Sequence, residues 1–284
     1  MTYSRKKFLH QMGAGALGLS LSACGAPASE AEAKKADSPP AHPITLGLAS
    51  YTFREFSLDE TIAMTLRVGL KHICLKSMHL PLESTQAEIE AAAAKVRDAG
   101  LDLYGAGVIY MKTAESVDQA FAYAKHAGMR VIVGVPNHEL LPQVEQRVKE
   151  TGIILAIHNH GPGDDLYRSP DHVWEKIKDL DPRIGLCIDI GHVVRIQEDP
   201  IEKIEKYAER LYDMHFKDVD IAEAEGSSQE VGRGIIDIPG VIKVLQKVRY
   251  TGIMGLEYEK AGKDPLPGVA ESVGYARGVL RMLS

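Results

Sequence analysis

Cysteine is scarce in this chain. Three in 284 residues are too few to staple a small fold, which excludes a disulfide scaffold. Long apolar runs are lacking too. The best candidate, near the N-terminus, is short and rich in glycine, which excludes a transmembrane helix there. No Gly-x-Gly-x-x-Gly opens a helix, so a dinucleotide-binding sheet is not expected. No Lys/Arg stripe is visible and the formal net charge is -6, which argues against nucleic acid as a partner. What remains is 45% apolar and 25% charged, the balance of an ordinary globular protein. The length allows one large domain or two small ones.

Residues 1–23 read as a targeting segment. Ser4-Arg5-Lys6-Lys7-Phe8-Leu9 is a basic start, a weakly apolar Gly/Ala/Leu run follows, and Leu21-Ser22-Ala23-Cys24 closes it. Basic region, apolar region and small residues before a cleavage point are the parts of an export signal. The box resembles a bacterial lipoprotein signal, cleaved before Cys24 with lipid added to that thiol. The start also resembles a twin-arginine signal, with Lys6 where a second Arg is expected, so Tat and Sec routes both stay open. Loss of Arg5, Lys6 and Lys7 with the signal takes the formal charge from -6 to -9. Such a surface repels anionic headgroups, so membrane attachment would rest on the lipid anchor alone. Residues 24–43, rich in Ala, Glu, Lys, Ser and Pro, read as a flexible tether. The expected location is the periplasm or cell envelope.

From residue 44 onward the chain alternates short apolar runs with helical patterns. Strands are expected over 44–51, 70–75, 101–109, 129–135, 152–157, 183–188, 211–214 and 252–256. Helices are expected over 58–68, 84–99, 114–127, 139–151, 170–180, 200–209, 238–248 and 268–283. Continuous apolar strands are the mark of a parallel sheet covered on both faces. Eight strand–helix units in about 240 residues predict a (β/α)8 TIM barrel over residues 44–284. Cys74 and Cys187 fall on strands two and six, too far apart across a packed barrel for a disulfide, and read as buried thiols. Trp174 is expected to pack in the outer shell. The longest irregular stretch, 218–234, follows strand seven and is a candidate lid or clamp.

The strand ends carry the chemistry. Strand five ends in His158-Asn159-His160, strand six in Asp189 with His192 three residues on, strand seven in His215-Phe216-Lys217-Asp218 and strand eight in Glu257-Tyr258-Glu259. In a (β/α)8 barrel these ends converge on one mouth. Asp189, His215 and Glu257, with His158 or His160, would make a mixed N/O site for one divalent ion, Mn, Co, Zn or Fe. Asp189 and His192 are expected on a loop.

The stretches Leu155-Ala-Ile-His-Asn-His-Gly-Pro-Gly, Ile188-Asp-Ile-Gly-His, Asp213-Met-His-Phe-Lys-Asp, Gly232-Arg-Gly, Gly255-Leu-Glu-Tyr-Glu and Glu271-Ser-Val-Gly-Tyr make the chain similar to the sugar phosphate isomerase/epimerase family. These are the xylose isomerase-like TIM barrels, and the likeness spans about residues 44–284. The resemblance implies metal ligands at the strand-five position, Asp189, His215 and Glu257. Ketose 3-epimerases of that family carry glutamate at the strand-five ligand and use two metal-bound glutamates as acid and base. Here His158 stands at the aligned position and only Glu257 of the pair is kept.

The chemistry left by that difference is metal-assisted proton abstraction beside the carbonyl of a free or oxidised sugar. Glu257, His158 and Lys76 are the candidate acid–base groups. His79, Tyr110, His192, Lys217 and Arg233 are candidates for holding the sugar, with Tyr51, Phe53 and Tyr110 as an aromatic wall. Isomerisation or epimerisation comes first. Elimination from a keto-sugar or keto-glycoside shares the same first step, and a non-catalytic sugar-binding lipoprotein is a third reading. Assembly into a homo-oligomer is left open by the sequence.

Overall fold

The computed structural model describes residues 43–284. The targeting segment, Cys24 and all of the tether but its last residue lie outside the described residues. In chain order the elements are β1 (Thr45–Ala49), α1 (Leu58–Arg67), β2 (His72–Leu75), α2 (Gln86–Asp98), β3 (Asp102–Met111), α3 (Ala114–His126), β4 (Val131–Pro136), α4 (Leu141–Thr151) and β5 (Ile154–His158). There follow α5 (Pro170–Ile177), β6 (Ile184–Asp189), α6 (Ile190–Arg195), α7 (Pro200–Lys206), β7 (Leu211–Phe216), the short strands β8 (Asp218–Val219) and β9 (Ser228–Gln229), α8 (Ile238–Lys247), β10 (Ile253–Leu256) and α9 (Leu266–Leu283).

Local sequence explains where the helices begin and stop. Ser57 and Thr85 each cap a helix through a reciprocal bond with the glutamate three residues on, Glu60 and Glu88, which satisfies two otherwise orphaned N–H groups. Gly152 closes α4 in the left-handed conformation, at φ 73°, which costs a residue without a Cβ nothing. The helices bury one apolar face each. Val144 and Val148 of α4, or Val241 and Leu245 of α8, are fully or almost fully covered.

Eight parallel strands close into a barrel in the order β1, β10, β7, β6, β5, β4, β3, β2, as the alternation of strand and helix predicts. The outer shell between strands and helices is the main hydrophobic core. Trp174 belongs to its margin, stacked 5.4 Å from Tyr207 with the Arg210 guanidinium over its ring. A second, smaller cluster of Cys74, Tyr104, Val131, Val133, Ala156, Cys187 and Ile253 is separate from that shell. Both cysteines are buried and unbridged. Among the described residues no helix is long and apolar enough to cross a membrane.

Two expectations are corrected. Residues 189–192 do not form a loop: α6 starts directly after β6, with Asp189 as its N-cap. The stretch 218–234 is not irregular throughout, because β8 and β9 pair antiparallel, Asp218 with Gln229 and Val219 with Ser228.

Candidate active site

Side chains two apart on a strand share a face. Ala156 and His158 therefore point the same way on β5, as do Cys187 and Asp189 on β6, and Ile253 and Gly255 on β10. Ala156, Cys187 and Ile253 belong to the small inner cluster, so His158 and Asp189 reach the mouth above it, and Glu257 follows Gly255 just past the end of β10. Register brings these ends level: Asp189 pairs with His215, His215 with Gly255, and His158 with Cys187.

The result is a tight group of buried polar atoms. Asp189 Oδ2 lies 3.4 Å from His158 Nε2 and 3.7 Å from His215 Nδ1. Glu257 Oε2 lies 3.1 Å from His215 Nδ1. Both ring nitrogens of His158 and of His215, and Asp189 Oδ2, have no hydrogen-bond partner. Buried polar atoms are normally hydrogen-bonded, so five in one place without an aligned bond, two of them held only by ion contacts, call for an explanation. Ligands at about 2.0–2.2 Å from one ion stand about 3.0–3.6 Å apart, which is close to the spacing here. The donor set of two imidazoles and two carboxylates suits a first-row divalent ion. Asp189 divides its work. Oδ1 accepts from the His192 N–H at 2.9 Å as helix cap, which leaves Oδ2 to the cluster.

Electrostatics fit the same use. Burial lowers His158 to about 4, so its imidazole is neutral and able to donate a lone pair near neutral pH. Burial also acts on His215, but Glu257 and Asp189 outweigh it and raise that ring to about 10. An ion binding there would have to release this proton. Asp189 and Glu257 stay ionised despite burial because Lys217 and the protonated His215 stand beside them.

Above the cluster opens a cavity of about 370 Å³. Tyr51, Lys76 and Tyr110 line it together with His158, His160, His192, Arg195, Glu257 and Glu259. The Lys76 ammonium sits over the Tyr51 ring, and burial lowers its pKa. A second cavity of about 300 Å³ adjoins it, sharing His192, Arg195 and Glu259 and bounded by Gly226 and Ser227 of the β8–β9 turn and Ser228 of β9.

Several candidate positions are corrected. His160 does not join the cluster. β5 ends at His158, and Asn159 is pinned to β6 by bonds to the Asp189 backbone, so the period of two is broken. His160 is half exposed, with its ring 4.7 Å from that of His192. His192 is closer than expected, with Nε2 3.8 Å from Asp189 Oδ2. His79 faces away from the cavity. Its Nδ1 bonds Ser50 Oγ, and its Nε2 is shared between Thr61 Oγ1 and the Phe53 carbonyl, which makes it a tie between loops. Phe53 is fully buried against Phe56, so the aromatic wall reduces to Tyr51 and Tyr110. Arg233 is exposed and paired with Glu271, away from the cavity.

Lys217 is no free loop cation. It is buried among Asp189, Glu257 and Glu259. Its spacing signals this, since Asp213, His215 and Lys217 continue one period of two. Glu259, past the end of β10, is joined to Glu257 by Lys217 rather than by strand spacing. Asp213, which sequence reasoning left unassigned, accepts from the Tyr104 hydroxyl at 3.1 Å in the barrel interior. Burial raises its carboxyl to about 6. Asp218 was likewise missed. Fully buried, it accepts from the backbone N–H groups of Val219, Gly232, Gly234 and Ile236 at 2.9–3.1 Å. It thereby ties the Gly232-Arg-Gly segment back to β8.

Residues 74–279 match the model of the xylose isomerase-like TIM barrel family. The chain belongs to that family. It is 26% identical over 162 residues to the rhizopine catabolism protein MocC of Rhizobium meliloti, a match covering 48% of this chain and 49% of that protein. It is 28% identical over 153 residues to the inosose dehydratase of Clostridium beijerinckii, covering 48% and 49%. The chain thus spans about half the length of the curated relatives it matches. Among solved structures, an L-ribulose 3-epimerase superposes with a TM-score of 0.71 at 17% identity, over 85% of this chain and 96% of that one. The 3-keto-D-glucoside 4-epimerase of E. coli does so with 0.69 at 15%, over 83% and 100%. At that identity these likenesses bear on the fold alone.

Proposed function

We propose that this chain is a metal-dependent enzyme that removes a proton beside the carbonyl of a free or oxidised sugar, isomerising or epimerising it. The observation that carries the reading is the convergence of His158, Asp189, His215 and Glu257 from four neighbouring strands, with buried atoms of the first three left without an aligned hydrogen bond. These four residues would hold the ion. When bound, it would act as a Lewis acid on the substrate carbonyl and make the adjacent C–H more acidic.

The remaining steps belong to the chain. Lys76 holds or moves a proton at Nζ, since its lowered pKa brings it closer to the working pH. Tyr51 and Tyr110 flank the sugar ring. His160, His192 and Arg195 face its hydroxyl groups across the cavity.

Elimination is the second reading, and two observations favour it. Strand five presents His158 in place of a second glutamate. The curated relatives include inosose dehydratases. In that case the base takes the carbon-bound proton and an acid returns one to the departing hydroxyl or alkoxide oxygen. Turnover in D2O tests both readings. A deuterium bound to carbon in the product, or a primary isotope effect with substrate deuterated beside the carbonyl, supports proton abstraction. Intact transfer of the substrate deuterium to the neighbouring carbon would contradict it.

Export belongs to the same proposal. The Leu21-Ser22-Ala23-Cys24 box supports a mature chain that begins at a lipidated Cys24, outside the compartment where sugar phosphates are made. Mass spectrometry of membrane-fraction protein tests it, and an intact 1–23 peptide on the native product would contradict it.

A further inference from the structure

One cation is already seated at the cluster, and the chain itself supplies it. Lys217 Nζ donates to Glu257 Oε2 and to Glu259 Oε1, each at 2.7 Å. It lies 2.9 Å from Asp189 Oδ2, yet that oxygen has no aligned hydrogen bond. The side chain is 4% exposed. Its stem runs against the first turn of α6, where a Cβ on Gly191 would stand 2.6 Å from the Lys217 Cγ and Cδ. Only glycine leaves room for it there.

The two oxygens are shared. Glu257 Oε2 is the atom that faces His215, and Asp189 Oδ2 is the atom that faces both His158 and His215. An ammonium on these oxygens and a divalent ion bound through them compete for the same carboxylate charge and repel one another at short range. Both cannot hold the same seat. Glu259 offers the ammonium another place. It already accepts one of its protons, and its side chain is 38% exposed. It also lies on the edge of the 300 Å³ cavity, which Lys217 lines as well.

We propose that Lys217 is a resident counter-cation. It holds the Asp189 and Glu257 carboxylates together before an ion arrives, and it moves onto Glu259 when one is taken up. This rests on the reading of the cluster as a metal centre. Metal uptake is then an exchange of cations, and its affinity is set partly by how well Glu259 receives the ammonium. The loaded site would present a lysine ammonium at the edge of the substrate cavity.

The test is a Mn²⁺ titration of chelator-treated full-length protein, followed by calorimetry and by the EPR signal of free Mn²⁺, with melting curves of the metal-free forms. Lys217→Met keeps most of the stem and loses the charge. It should bind Mn²⁺ at least tenfold more tightly than wild type and melt at a lower temperature when metal-free. Glu259→Gln leaves all four ligands and removes the alternative seat; it should bind Mn²⁺ severalfold more weakly. It also serves as the second variant if Lys217→Met does not fold. Wild-type uptake of one Mn²⁺ with both variants unchanged in affinity would overturn the exchange and leave the metal centre standing. Failure of all three proteins to take up any ion would overturn the metal centre, and the exchange with it.

Discussion

At the scale of single residues, the strand-five choice decides the site. His158 and His160 stand two apart and look equivalent in sequence. Geometry separates them, because β5 ends between them and only His158 remains on the inward face. His158→Ala should lower metal affinity about 10²-fold or more. His160→Ala should keep the ion and weaken substrate binding instead, which a KM against kcat comparison would reveal. Lys76→Met should retain full metal content and lose about 10²–10⁴ in kcat, the usual worth of a positioned acid or base. Asp189, His215 and Glu257 were legible because each closes an apolar strand of the right length. The surroundings of His79 were not. Its two nitrogens are taken up by Ser50, Thr61 and the Phe53 carbonyl, partners at |i−j| of 18 to 29 that no local pattern encodes.

At the scale of elements, the segment between β7 and α8 shows where pattern reading stops. Its length and glycines mark it as a loop, but not what anchors it. The anchor is Asp218, which gathers four backbone N–H groups. Asp218→Ala leaves four donors unpaired, those of Val219 and Ile236 fully buried, and should cost about 3 kcal/mol of stability, measurable by denaturant unfolding. A second tie joins the segment to the end of β10. Glu230 accepts from Lys260 Nζ at 2.9 Å and from the Tyr258 hydroxyl at 2.7 Å, and Lys260 with Tyr258 lowers its carboxyl to about 2. A carboxyl lowered in the folded state stabilises it fully above its ordinary value near 4.5 and less as pH falls toward 2. The melting temperature of wild type should therefore exceed that of Glu230→Gln at pH 7, and the gap should narrow steadily toward pH 3. A gap independent of pH would show that the ion pair contributes nothing there. The starts of α1 and α2 were legible, since Ser57 and Thr85 bring their glutamate partners in the local sequence. The start of α6 was not, because its cap is Asp189 itself, read first as a strand-end carboxylate.

At the scale of the molecule, the barrel follows from eight apolar strands that alternate with amphipathic helices, and chain order matches spatial order around the ring. A parallel barrel buries both faces of its strands, so any polar group at a strand end must find a partner or a use. Here four neighbouring strands deliver two imidazoles and two carboxylates to one point above an apolar floor, with Lys217 across them. That arrangement is the basis for reading the mouth as a metal centre rather than a set of packed polar groups. The direct measurement is metal stoichiometry by elemental mass spectrometry after loading with Co²⁺ or Mn²⁺ and gel filtration, on wild type, Asp189→Asn and Glu257→Gln. The expected result is about one ion per chain in wild type and almost none in either variant, with folded circular dichroism spectra in all three. One full equivalent retained by both folded variants would contradict the assignment.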